Sequence, residues 1–185
     1  MAVIDNLTFN VAQLLKEPIG ATRDGEVVAS LRRLVPDLAQ TEDAPDTTLT
    51  GSVRLMHVSE GVLVQGTLHV EATMPCARCL EPVTVLLQVE LEEVFVPTVS
   101  IATGRPITPE EDDQALWISE NHILDLREVL RQDVLLAQPV QVLCRPDCRG
   151  LCPICGQNLN QGACSCQPEP DPRWAALTAL LEREP

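Results

Sequence analysis

Eight cysteines among 185 residues are the side chains best equipped for chemistry in this chain, and they fall in two places. Cys76-Ala77-Arg78-Cys79 stands alone, whereas Cys144, Cys148, Cys152, Cys155, Cys164 and Cys166 crowd into one short run. A C-x-x-C pair presents two sulfurs from one tight turn, so that they can take adjacent corners of a thiolate tetrahedron around zinc. Cys152-Pro153-Ile154-Cys155-Gly156 has this form, with a glycine free to take positive φ after the second cysteine. Cys164-Ser165-Cys166 offers two further sulfurs after a loop of eight residues. By subtraction, Cys76, Cys79, Cys144 and Cys148 form the other set. The spacing predicts two closed zinc sites, with the second pinning the cysteine-rich tail onto whatever carries Cys76 and Cys79. A different partition, with Cys148, Cys152, Cys155 and Cys164 in one site and Cys76 and Cys79 free, is compatible with the same spacing.

Other chemistries fit these residues less well. A catalytic zinc keeps a coordination position open and usually has histidine or carboxylate ligands, but only Asp147 and thiols lie near the cysteine run. His57, His69 and His122 are scattered, and each reads as a surface or core histidine rather than a ligand, so no catalytic residue is assigned. A thioredoxin-like reading of Cys76 and Cys79 needs a strand-to-helix turn, whereas Pro82 and a second strand pattern follow them. Arg78, Arg145 and Arg149 outnumber Asp147 beside the cysteines. They are candidates for contact with RNA phosphate or an acidic partner.

The charge balance limits that contact. With a net charge of -14, a single lysine, no tyrosine and four other aromatics, the chain is neither a basic groove nor a stacking platform for RNA. An acidic surface suits a basic protein better. The N-terminal MAVIDNLTFNVAQLL lacks a positive leader region, and no apolar run approaches the roughly 20 residues of a membrane span. A cytoplasmic location follows as the expectation, and there thiols stay reduced and serve metals more readily than disulfides.

The elements that must position the cysteines are legible in the middle of the chain. Val53 and Leu55, then Leu68, Val70, Ala72 and Met74, then Val83, Val85, Leu87, Val89 and Leu91 recur with a period of two. That period means strands buried on one face, and Thr84, Gln88, Glu90 and Glu92 make the third run's wet face. Ser59-Glu60-Gly61 reads as a hairpin loop. Leu126, Val129, Leu130, Val134 and Ala137 follow helical spacing near 125–137, with Asp125 and Glu128 placed as a capping box and Pro139 as the stop. Between these, Pro97 to Gln114 reads as an acidic loop containing Glu110 to Asp113. Asp171 and Pro172 open a short last helix through Trp174, Leu177 and Leu181, and Val3, Leu7, Phe9, Val11 and Glu26 to Leu34 offer further strands. The expected class is α+β: a mainly antiparallel sheet or open barrel with one packed helix, plus a cysteine-rich zinc-binding tail and short terminal helix. The expected division is a β-rich core at 1–143 and the tail at 144–185.

Several segments together resemble the YceD family, whose members are called large ribosomal RNA subunit accumulation proteins. They are Leu14-Leu15-Lys16-Glu17-Pro18-Ile19-Gly20, Cys76-Ala-Arg-Cys79-Leu80-Glu81-Pro82, CRPDCRGLCPICGQNLNQGACSC from Cys144 to Cys166, and Asp171-Pro-Arg-Trp-Ala-Ala-Leu177. The resemblance implies a non-enzymatic role in making or stabilising large-subunit ribosomal RNA, in a family often encoded beside a zinc-containing large-subunit ribosomal protein. Taken with the charge, it favours a biogenesis factor that meets a ribosomal protein or precursor RNA, with no membrane and no small-molecule substrate. A zinc-delivering metallochaperone and a thiol redox protein are the alternatives that the cysteines leave open.

Overall fold

The computed structural model describes residues 5–38, 46–108, 114–167 and 173. The three alternating runs form the long strands β3 (Thr48–His57), β4 (Val62–Pro75) and β5 (Pro82–Pro97). Before them come β1 (Thr8–Asn10), β2 (Thr22–Ser30) and the single helical turn α1 (Leu31–Leu34). After them come β6 (Trp117–Ile118), β7 (Ile123–Asp125) and α2 (Arg127–Leu136).

The main sheet has the order β2-β3-β4-β5-β6, and β1 pairs with β7 in a second, two-stranded sheet. The β2-β3 and β3-β4 ladders are antiparallel, with Val53 opposite Gly25 on one side and Gly66 on the other. Gly66 allows a close approach there: a Cβ at that position would lie 2.5 Å from the Ser52 carbonyl oxygen. The β5-β6 pairing is parallel and covers only Val96 and Pro97. This half-barrel sheet with few helices is the α+β class expected from the sequence.

The period-two residues supply the core. Leu49, Val53 and Leu55 of β3, Val64, Leu68, Val70 and Ala72 of β4, and Leu87, Val89, Leu91 and Phe95 of β5 are buried together with Leu126, Leu130 and Val134. Burying a side chain of this size contributes roughly 1.5–3 kcal/mol, so these rows, rather than any aromatic stack, hold the sheet. Ser30 is the one buried polar residue among those described, and it closes β2 onto α1. Its hydroxyl donates to Asp46 at 2.7 Å and accepts from the Arg33 N–H at 3.3 Å, as an N-cap should.

The start of α2 differs from the capping box. Leu126 occupies the N-cap and has no side-chain acceptor, while Asp125, one residue ahead of it, accepts from the Arg127 N–H at 3.0 Å. Glu128, in turn, accepts from Arg131 and Gln132 instead of reaching back. The Glu110 to Asp113 run and the terminal helix fall outside the described residues, Arg173 excepted. Among the described residues no helix is long and apolar enough to cross a membrane.

The chain divides into two compact units, one of residues 1–74 and 82–140, the other of Pro75–Glu81 with Gln141–Pro185. The turn between β4 and β5 therefore belongs with the cysteine-rich segment.

Candidate metal centre

All eight cysteines lie in the second unit, and they gather into two sets of four. One is Cys76, Cys79, Cys144 and Cys148; the other is Cys152, Cys155, Cys164 and Cys166. Within each set the sulfurs all lie within 4.8 Å of one another. These are the two groups reached by subtraction above, and the partition that leaves Cys76 and Cys79 free is not the one adopted. Cys76 and Cys148 Sγ are 3.8 Å apart and Cys79 and Cys144 Sγ 3.6 Å apart. A tetrahedron with metal–sulfur bonds of about 2.3 Å has an edge of about 3.8 Å, so the spacing fits a four-thiolate metal site. All eight thiols are free, with no disulfide among them.

The two C-x-x-C turns are built alike. In the first, Cys76 N–H donates to the Glu81 carbonyl at 2.8 Å and Leu80 N–H to the Cys76 carbonyl at 3.0 Å. In the second, Cys152 N–H donates to Gln157 at 2.8 Å and Gly156 N–H to Cys152 at 2.9 Å. Each turn closes through a residue at positive φ directly after its second cysteine: Leu80 at 61° and Gly156 at 72°. A glycine takes that conformation freely, whereas an L side chain there costs roughly 1–2 kcal/mol. Leu80 is thus a strained residue that the surrounding turn must hold.

Backbone and amide groups point at the sulfurs. Cys144 N–H approaches Cys76 Sγ at 3.4 Å, Ile154 N–H approaches Cys152 Sγ at 3.5 Å, and Asn160 Nδ2 donates to Cys148 Sγ at 3.3 Å. Such donors favour thiolate over thiol. Burial works to raise the Cys76 thiol, but the N–H groups of Cys79, Arg78 and Cys144 outweigh it and bring it down to about 6. The N–H groups of Cys155 and Ile154 likewise lower Cys152 to about 6. Within the same sets burial, reinforced by Cys148, pushes Cys144 up to about 12, and the hydrogen bond with Cys155, then burial, pushes Cys166 up to about 12. Clustered thiols resist sharing several negative charges, and a divalent cation removes that resistance. With four thiols per set and no histidine or carboxylate in either, the donors suit a soft metal in a closed sphere.

A second ring of contacts knits the unit together. Arg78 carries its guanidinium to the Cys148 carbonyl at 2.8 Å, and its own carbonyl accepts from Leu151 N–H at 3.2 Å. Glu81 accepts from Asn158 Nδ2 at 3.1 Å and from Gln161 Nε2 at 3.3 Å. Asn160 accepts from the Arg149 N–H at 2.8 Å while serving Cys148. Of the three arginines singled out from the sequence, Arg78 is engaged with the backbone of the first set. Arg145 lies 3.7 Å from Asp147, and Arg149 is exposed. Asn158, Asn160 and Glu81 were not among the candidates; the two asparagines had a signal in the Asn158-Leu159-Asn160-Gln161 stretch inside the cysteine run, and Glu81 had none beyond its place two residues after Cys79. His57 and His69 sit in β3 and β4, His57 Nδ1 lying 2.7 Å from the Glu17 carbonyl, and His122 precedes β7. None of the three belongs to a cysteine set.

A half-barrel β unit joined to a twin-knuckle, eight-thiol unit is the class of protein this geometry defines. Comparison with known proteins then supplies the family: residues 64–181 match the model described as large ribosomal RNA subunit accumulation protein YceD, so the chain belongs to the YceD family. A Mycobacterium tuberculosis protein of uncharacterised function is 36% identical over 182 residues, 98% of this chain and 84% of the relative. One from Mycobacterium leprae is 31% identical over 179 residues, 97% and 79% of the two chains. A Zea mays protein named large ribosomal RNA subunit accumulation protein YCED homolog 1, chloroplastic, is 24% identical over 161 residues, 71% of this chain and 53% of its own. No solved structure matches the chain.

Proposed function

We propose that this protein is a cytoplasmic, non-enzymatic factor that supports accumulation of large-subunit ribosomal RNA by binding a basic ribosomal protein or the precursor RNA. The observation that carries the reading is the family match, which spans β4, β5, α2 and both cysteine sets. The chemistry agrees with it. Closed four-thiolate sites leave no position for substrate, and a net charge of -14 draws basic proteins more readily than phosphate.

Zinc is the metal the donors suit best, with Cys76, Cys79, Cys144 and Cys148 holding one ion and Cys152, Cys155, Cys164 and Cys166 the other. In this reading the ions are architectural. They fold the second unit, and Arg145 and Arg149 at its surface are available for a local contact with RNA or an acidic segment. Cell depletion tests the function. Mature large-subunit ribosomal RNA should fall relative to small-subunit RNA, and an unchanged ratio in a deletion strain would overturn the proposal.

One observation favours a second reading, delivery of zinc to another protein: Cys155 is exposed and Cys164 and Cys166 are only half-buried. Zinc in that set exchanging within seconds with a thiol-rich acceptor peptide supports delivery, whereas retention over hours supports architecture.

A further inference from the structure

The open edge of β5 carries a feature that the cysteine sets do not use. β6 pairs with β5 only at Val96 and Pro97, and among the described residues no other strand lies on that side of Pro82 to Phe95. A strand edge without a partner displays backbone N–H and carbonyl groups ready to pair with an incoming chain. Beside it, α2 and β5 bound a groove of about 410 Å³ lined by Gln88, Glu90, Asp133, Leu136 and Ala137.

Its chemistry is specific. Leu136, which lines the groove, is 83% exposed, so apolar surface is displayed there. Asp133 has a buried Oδ2 with no hydrogen-bond partner. Burial, and then the nearby Glu93 carboxylate, push its carboxyl up to about 6. A carboxylate placed beside another and left without a donor is a cost that an ammonium or guanidinium group would relieve.

We propose that the β5–α2 groove docks an extended segment of a partner protein bearing both cationic and apolar side chains, laid along the free edge of β5. Lysine or arginine meets Glu90 and Asp133 where they line the groove, and apolar side chains of the segment cover Leu136. Strand addition supplies main-chain hydrogen bonds that do not depend on sequence, and the acidic and apolar lining supplies selectivity. RNA is disfavoured at this surface because phosphate would face the carboxyl groups of Glu90 and Asp133. The inference deepens the function proposed above and rests on its choice of a basic protein as partner.

The test uses the full, metal-loaded chain and a fluorescein-labelled peptide of alternating lysine and valine, with a glutamate–valine peptide and a single-stranded RNA oligonucleotide as comparators. Binding of the lysine peptide alone is expected, together with slower hydrogen exchange in β5. The Glu90→Lys/Glu93→Lys variant should weaken binding roughly tenfold or more, and Leu136→Ser, which removes the apolar contact without changing the charge, should weaken it as well. A variant with the same change of charge elsewhere, Glu26→Lys/Glu60→Lys, should keep most of the affinity. Equal loss in both charge variants, binding of RNA at β5, or no change in β5 exchange would each overturn the groove. Because the assay reads binding and not ribosomal RNA levels, its failure leaves the biogenesis proposal standing, and an unchanged RNA ratio in the deletion strain leaves the groove standing.

Discussion

The two cysteine sets share one turn geometry and differ in what they tie together. Cys76 and Cys79 meet Cys148 and Cys144, partners 72 and 65 residues away, whereas Cys152 to Cys166 complete their set within one loop. In an unfolded chain, closing a loop of that length costs roughly 1.5 kcal/mol more than closing about ten residues. The first set therefore depends on most of the intervening chain being in place, while the second can assemble locally. Burial follows the same division. Cys76, Cys79 and Cys148 are buried with only Cys144 exposed, whereas in the second set only Cys152 is buried. One set is a staple between the β4–β5 turn and the tail; the other folds the tail upon itself.

Breaking each set in turn gives the largest expected effect. Structural zinc contributes on the order of 10–16 kcal/mol apparent in small zinc-finger peptides, so losing a site should unfold what it holds. Cys148→Ser should release the whole tail to limited proteolysis. Cys164→Ser should lose one metal and expose only residues after Cys152 to cleavage, with the circular dichroism of the β unit unchanged. Identical cleavage patterns would erase the distinction. Next in size, a chelator should remove metal in two phases, the exposed second set first, as followed by a colorimetric zinc indicator.

The turns offer a finer contrast. Gly156→Leu places a side chain at φ 72° and should destabilise the second set by about 1–2 kcal/mol. Leu80→Gly relieves the matching strain in the first set and should be neutral or stabilising by thermal melting, even though it removes a leucine.

Much of this was legible because the physics was local. Leu68, Val70 and Ala72 reveal β4 by period, and the C-x-x-C spacing reveals two sulfurs per turn whatever the fold. β2 was harder to read, since Thr22, Arg23 and Asp24 are all exposed and show no alternation. The single turn α1 and the parallel β5-β6 contact span too few residues to leave a pattern. Asp125 and Glu128 have the spacing of a capping box, but Arg127 and Arg131 capture their carboxylates. The β5–α2 groove joins Glu90 and Asp133 across more than forty residues of chain, and no local rule links them.

The smallest effect lies in the β unit and serves as the control for both sets. Asp133 titrates near 6 in the folded chain against 3.8 unfolded, so the native state holds the extra proton between these values. Stability should therefore fall as pH rises from about 4 to 6. Asp133→Asn should flatten that slope and raise stability at pH 7 by about 1 kcal/mol or less, since the group is partly solvated and screened. Both metals should remain bound.

The claim that two architectural zinc sites organise the tail is tested most directly by native mass spectrometry of the full chain purified without added zinc. A single species of chain plus two zinc ions is expected, falling to one in Cys164→Ser. Wild-type protein carrying no metal, or only one ion, would contradict it.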